Sequence, residues 1–204
     1  MGKIFYIMGK SASGKDTVYQ HLLKDHSLGL RHIVPYTTRP IREGEEPGRE
    51  YFFCDESKVD ELTAQGKIIE LRVYQTVYGK WKYFTVNDEQ INLQHQDLLM
   101  IGTLESYVKV REYFGKEVLE PIYIEVEDGE RLMRAIARER EQAVPKYEEM
   151  CRRFLADASD FSEEKLREAG IRRCFVNETL TETLQEITAY IRRKQEGDHG
   201  NQGK

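Results

Sequence analysis

Three cysteines in 204 residues, Cys54, Cys151 and Cys174, stand far apart, with no CxxC pair and no even framework. That scarcity excludes a disulfide scaffold and points to a reducing compartment in which each is an inert, buried thiol. There is no basic excess either: 31 Lys and Arg face 36 Asp and Glu, a formal net charge of −5. General affinity for nucleic acid or an anionic membrane needs the opposite balance. No apolar run approaches the length of a membrane span. The first residues lack the apolar segment and small-residue cleavage site of a signal peptide, and Tyr6 stands where a myristoylation pattern wants Ser or Thr. Internal repeats and low-complexity segments are absent. The expectation is a soluble, cytoplasmic protein, monomer or homodimer, with neither nucleic acid nor membrane as partner. Its length suits one well-buried core with small insertions.

What is present is a phosphate-binding signature. Ile4 to Met8 is a short apolar run that reads as a buried strand, broken at Gly9. Four residues follow, Lys10, Ser11, Ala12 and Ser13, and then Gly14-Lys15. This spacing is that of a loop whose backbone N–H groups curl around an anion while the lysine reaches the transferred phosphate. Val18, His21, Leu22 and Leu23 recur at helical spacing behind it, so a helix N-terminus adds its partial positive charge. The hydroxyl residue that usually follows the lysine is Asp16 here, with Thr17 one place later. Both are oxygen donors suited to Mg²⁺, and the residues leave open whether Asp16, Thr17 or water alone holds it.

Beyond the first helix, Arg31 to Val34 reads as a strand ended by Pro35, and Tyr36 to Phe53 as a polar, turn-rich loop. Asp55 to Ala64 has helical spacing, with Ser57 as candidate N-cap and Gly66 as the stop. Lys67 to Tyr74 and Val77 to Val86 read as two strands joined by a tight turn. Asn87 or Asp88 caps a short helix to Leu93, and Leu98 to Ile101 is a second continuous apolar run. A helix to Phe114, a strand over Pro121 to Val126, and helices over Gly129 to Arg140 and Tyr147 to Phe161 follow, these two split by a polar break at Gln142 to Pro145. Cys174 to Val176 is a last strand and Thr181 to Arg193 the closing helix. The final residues lack an apolar anchor and are expected to be disordered. Strands alternating with helices, the first bearing a phosphate loop, imply an α/β fold with a parallel sheet covered on both faces.

Phosphoryl transfer rests on positioning and charge neutralisation, which calls for cations aimed at donor and acceptor phosphates. Arg39, Arg42 and Arg49 stand in the Gly- and Pro-rich loop, and Tyr51 and Tyr78 add hydroxyls. A solvated loop, in which these arginines pair with Glu43, Glu45, Glu46 and Glu50, is the competing reading. Arg131, Arg134 and Arg138 form one helical stripe, with Arg140 beside it and Arg152 and Arg153 across the break. Such a pair of segments suits a cover that closes over the phosphates, although interleaved glutamates fit an ordinary charged surface equally well. Glu70 ends the Ile68-Ile69-Glu70 segment, where a carboxylate facing a cleft can accept two N–H groups from a guanine edge, although a strand glutamate is more often simply exposed.

Gly9 to Thr17, Thr37-Thr38-Arg39-Pro40 with Arg42, Gly44, Glu45, Gly48 and Tyr51, Ile69-Glu70, and Tyr78-Gly79 resemble guanylate kinases in order and nearly in spacing. The resemblance implies a P-loop kinase fold with a strand-rich monophosphate-binding insert and a helical lid, transferring the ATP γ-phosphoryl to GMP with Mg²⁺. It implies a core of residues 1–35, 85–137 and 156–195, an insert over 36–84, a lid over 138–155 and a tail over 196–204. By matching positions, Gly9 to Thr17 hold the ATP phosphates, with Lys15 catalytic, and Asn177 lies near the adenine. Arg39, Arg42, Tyr51 and Tyr78 grip the GMP phosphate, Glu70 meets the guanine, and Arg138 or Arg140 with Arg153 stabilise the moving phosphoryl group. The chain departs from the family at Pro35, at Lys80, and at the strand end Met100-Ile101-Gly102-Thr103, where a second base-binding aspartate is usual. Thr103 is then a substitute base contact and Lys80 a phosphate partner. A kinase of another phosphorylated small molecule, such as a ribosyl bisphosphate, and a non-catalytic interaction module are the alternatives.

Overall fold

Ile4–Met8 forms β1, and all five of its residues are buried. Successive side chains of a strand point to opposite faces, so Ile4, Tyr6 and Met8 enter one hydrophobic cluster while Phe5 and Ile7 enter another. Such a strand must lie inside a covered sheet. In the computed structural model, which describes residues 1–42, 44–76 and 79–199, β1 is the centre of five parallel strands. β2 (Arg31–His32) and β7 (Leu98–Gly102) lie on one side, β8 (Leu119–Glu125) and β9 (Cys174–Val176) on the other, in the order β2-β7-β1-β8-β9. Helices α1 (Lys15–Lys24) and α7 (Leu180–His199) supply Val18, Leu22, Ile187 and Ile191 to the cluster on one face. Helix α3 (Leu104–Phe114) supplies Leu104, Tyr107 and Val110 to the other. The parallel α/β class inferred from the sequence is the observed one. The chain leaves β1 toward β2 on one side and later returns past it to β8. The carboxyl end of β1 is therefore the switch point where a crevice opens.

Residues between β2 and β7 form a second sheet. Two-residue strands β3 (Tyr36–Thr37) and β4 (Phe52–Phe53) join the long hairpin of β5 (Ile68–Thr76) and β6 (Gly79–Val86), in the order β4-β3-β6-β5. Helix α2 (Glu56–Ala64) packs Val59 and Leu62 against Phe84 and Val86, giving this sheet a small core of its own. The β5–β6 register slips between Ile68 and Glu70, a bulge that sets Glu70 opposite Thr85. Bulges of this kind re-aim a side chain. Helices α4 (Asp128–Arg140) and α5 (Tyr147–Asp160) form a charged pair beside the first loop, followed by the short α6 (Glu163–Glu168).

Several local expectations are corrected. Asp55, not Ser57, caps α2, because the Asp55 carboxylate accepts from Lys58 N and also holds the Ser57 hydroxyl. Residues 87–93 form turns instead of a helix. The Asp88 side chain takes the Gln90 amide, and the Gln90 side chain bridges to Val34, a local bonding pattern that competes with helix formation. β2 stops at His32, since Val34 N has already turned to Gln90. α6 lacks a long apolar stripe and was not anticipated. The closing helix continues through His199, beyond the expected Arg193. Its anchor is polar: Gln195 donates to Leu28 O and Asp97 Oδ2, each at 2.9 Å. Among the described residues, no helix is long and apolar enough to cross a membrane.

Candidate active site

The loop after β1 is built by two glycines and a buttress. A side chain at Gly9 would put its Cβ 2.5 Å from Ile124 O, and Gly14 has φ +83° with Asn177 Nδ2 only 2.4 Å from where a Cβ would be. Each position is closed to any other residue by space, and Gly14 by backbone conformation as well. Ala12 also has positive φ, +60°. Gly14 caps α1 with no side-chain acceptor, so the first N–H groups of the helix stay directed at the loop's mouth. The hydroxyl of Ser13 is buried without a partner among the described residues. Lys15 Nζ lies 3.1 Å from Asp16 Oδ2, a carboxylate that is itself largely exposed. Thr17 is exposed on the same helical turn.

Asn177, expected near the adenine, is a buried strut of the loop. Its Nδ2 donates to Ser13 O at 2.8 Å and its Oδ1 accepts from Thr183 at 3.2 Å. Arg131 is the strut on the other side, with its side chain only 1% exposed. It donates to Ser11 O at 2.8 Å, to Asp128 Oδ1 and to Asp157 Oδ2, and its guanidinium lies over the Phe154 ring. Asp157 in turn accepts from Ser11 N at 2.7 Å. The sequence stripe that contained Arg131 gave no sign that it faces inward.

Removing the Arg131 side chain leaves Ser11 O without its donor, Asp128 with Lys10 alone and Asp157 with Ser11 N alone. Arg131→Ala is expected to destabilise the fold by about 3 kcal/mol, the low end for a broken buried pair because Asp128 reaches solvent. Denaturant unfolding reads this directly. The Arg131 hydrogen bond, with a further contribution from Lys10, holds the Asp128 carboxyl below its ordinary range against the opposing effect of burial. The pair therefore contributes stability above the usual carboxylate range and loses it as pH falls through the lowered value. The wild-type protein should lose more stability on acidification than Arg131→Ala, in a series of melts from neutral to acid pH.

The polar loop from Tyr36 to Phe53 resolves its arginines into two kinds. Arg49 is half-exposed and pairs with Glu46 and Glu50, which is the solvated-loop arrangement. Arg39 is 3% exposed, donates to Glu45 Oε1 and Pro40 O at 2.8 Å each, and lies over the rings of Tyr51 and Phe53. The Arg39 hydrogen bond keeps the Glu45 carboxyl below its ordinary value. Burial raises the Tyr51 hydroxyl, partly offset by Arg72 and Arg39 nearby. Glu43 and Tyr78 lie outside the described residues. Lys80 is exposed on the hairpin.

Arg42 faces a cavity of about 420 Å³ that also receives Ser11 of the first loop, Arg138 of α4, Lys146 just before α5, and Arg153 of α5. Four cations thus border one space, together with two carboxylates, Glu139 and Glu149. Arg153 Nη2 comes within 3.4 Å of Ser11 Oγ. The other arginines of the two helices are engaged elsewhere: Arg134 with Glu130 and Asn177 O, Arg152 with Glu149. Arg140 is exposed and does not line the cavity. The half-buried Thr103 hydroxyl accepts from Ser106 N at 3.2 Å and so caps α3. Glu70 is 3% exposed and receives Arg72 and Thr85. Arg72 was missed from sequence, although its place two residues after Glu70 puts it on the same strand face.

A glycine loop at the switch point of a parallel sheet, an inserted sheet with a buried arginine, and a helical pair bearing arginines into their common cavity define a P-loop phosphotransferase. Comparisons with known proteins narrow the class. The family model described as guanylate kinase matches residues 1–194. The chain is 29% identical over 204 residues to the guanylate kinase of Syntrophomonas wolfei, covering 93% of this chain and 91% of that one. It is 32% identical over 149 residues to that of a Nostoc species, covering 70% and 74%. The crystal structure of guanylate kinase from Anaplasma phagocytophilum shares the fold, with a TM-score of 0.64 and 24% identity over 95% of this chain and 86% of that one. The chain belongs to the guanylate kinase family.

Proposed function

We propose that this chain transfers the γ-phosphoryl group of ATP to GMP, giving ADP and GDP. The observation that carries the reading is the cavity bordered by Ser11 of the phosphate loop, Arg42 of the insert and Arg138, Lys146 and Arg153 of the helical pair. A donor cradle and an acceptor loop open on the same cation-lined space, which is what an in-line transfer between two phosphates needs. In this reading residues 36–84 are the acceptor-binding part and 138–155 the lid.

Lys15 and the N–H groups from Gly9 to Asp16 bind the donor phosphates. Arg39, held rigid between Tyr51, Phe53 and Glu45, and Arg42 hold the acceptor phosphate, with the Tyr51 hydroxyl as a further donor. Arg138 and Arg153 neutralise charge that grows on the transferred group's equatorial oxygens, and the lid excludes water. Glu70 offers the guanine edge its two carboxylate oxygens. Asp16 and Thr17 would hold Mg²⁺. The exposed Asp16 carboxylate and the Thr17 hydroxyl on one helical turn are hard oxygen donors. Mg²⁺ at a nucleotide takes only one or two such protein ligands, with phosphate oxygens and water completing the set, so the pair fits. When bound, the ion neutralises charge shared by the β- and γ-phosphates.

A steady-state assay with ATP, Mg²⁺ and each nucleoside monophosphate tests the reading, with GMP the expected acceptor. Turnover of a ribosyl bisphosphate with GMP inert would replace it with the related small-molecule kinase. Absence of ATP binding by calorimetry would replace it with a non-catalytic module.

A further inference from the structure

Glu70 has the geometry of a base-reading carboxylate and is already occupied. Arg72 donates to it through two parallel bonds, Nε to Oε2 at 3.0 Å and Nη2 to Oε1 at 3.2 Å. The Thr85 hydroxyl donates to Oε1 at 2.9 Å. The Glu70 side chain is 1% exposed and that of Arg72 13%. A planar guanidinium gripping a carboxylate with two N–H groups is a chemical copy of the guanine edge, whose N1–H and N2–H₂ belong to the same N–C–N fragment. Both oxygens cannot serve both partners.

Neighbouring residues place this pair at the far end of the acceptor site. Arg72 stands opposite Tyr83 across the β5–β6 hairpin. Tyr83 packs edge-on against Tyr51, with ring centroids 5.6 Å apart, and the Arg39 guanidinium lies over the Tyr51 ring. An aromatic wall therefore leads from the arginine that holds the acceptor phosphate to the arginine that covers Glu70. No second carboxylate can come from the end of β7. A Cβ at Gly102 would lie 2.1 Å from the Tyr6 hydroxyl and 2.7 Å from Ser106 Oγ, and those two hydroxyls are themselves bonded at 2.5 Å. Tyr6 fills the room that a carboxylate there would use, which leaves Glu70 as the carboxylate offered to the base, and Arg72 sits on it.

We infer that Arg72 is a specificity-determining residue that occupies the guanine subsite as an internal competitor, so that GMP binds only by separating Arg72 from Glu70. This rests on GMP being the acceptor. The competition acts on acceptor binding and leaves the ATP loop and the lid arginines untouched. Its consequence is an acceptor site that still responds to rising GMP at concentrations that would saturate an open Glu70.

The test compares wild type with Arg72→Ala and Arg72→Lys, reading GMP affinity by calorimetry, the KM for GMP, kcat and the affinity for ATP. Removing the competitor is expected to tighten GMP binding and lower its KM by about tenfold or more, the worth of one charge-assisted hydrogen bond. kcat and ATP affinity stay within about twofold, and lysine, with a point charge in place of a fork, falls between the two. Because Arg72→Ala uncovers a buried carboxylate and can lose stability, the GMP-induced rise in melting temperature is measured as well. It should be larger in Arg72→Ala than in wild type, since GMP then supplies the missing donors. Unchanged or weaker GMP binding in both variants, with GMP turnover intact, overturns the inference alone. No binding of GMP by any of the three proteins overturns it together with the proposed acceptor.

Discussion

Lys15→Ala is expected to lower turnover by at least about a thousandfold while the protein unfolds at nearly the wild-type temperature. The loss follows from chemistry that is almost wholly electrostatic: the γ-phosphoryl group carries its charge through the transition state, and the lysine is the loop's only side-chain cation beyond Lys10. Lys10 is not a substitute, since its ammonium lies 3.3 Å from Asp128. The preserved stability follows from the surroundings of Lys15, whose one ion pair among the described residues is to an exposed carboxylate. Its partner reaches solvent without it, so the loss of this pair costs about 1 kcal/mol or less. A coupled turnover assay alongside thermal unfolding measures both. Near-normal turnover by a folded Lys15→Ala protein would remove this residue from the chemistry.

The lid arginines give the second large effect. Arg138→Ala or Arg153→Ala should reduce kcat by about a thousandfold or more, the usual worth of an arginine that meets the transferring phosphoryl group. Arg140→Ala should change it by no more than a few-fold. The distinction comes from position: Arg138 and Arg153 border the same cavity as Ser11 and Arg42, whereas Arg140 does not line it. All three lack a salt bridge among the described residues, so loss of a structural pair does not confuse the comparison. Equal losses for Arg138 and Arg140 would mean that α4 turns on closure, and no loss for either would leave the charge to Arg153 and Lys146.

Much of this was legible beforehand because it depends on local rules. A continuous apolar pentapeptide, two glycines at fixed spacing and a lysine dictate a strand, a tight loop and a helix start, and each of those features recurs in the folded chain. Helices α3, α4 and α5 also follow from periodicity, with ends within a residue or two of those expected. The turn at 87–93 and the length of α7 were not legible, because both depend on Gln90 and Gln195 reaching residues distant in sequence.

Side-chain roles divide the same way. Charge pattern alone leaves Arg39 and Arg49 equivalent, yet one is buried against two aromatic rings and the other paired in solvent. The helical stripe likewise grouped Arg131 with Arg134 and Arg138, although the first braces the loop, the second holds Asn177 O and the third faces the cavity. Asn177 and Thr103 carry polar groups that a sequence reading offers to a ligand and that the fold uses internally.

By itself, then, the sequence determined the phosphate loop, the parallel α/β class and the set of arginines available for transfer, since these rest on backbone conformation and periodicity within a few residues. Only the tertiary structure decided which arginines meet one cavity and which partner Glu70 receives. Those outcomes depend on side chains brought together across strands and helices, where burial and the competition for a single carboxylate have no local signature.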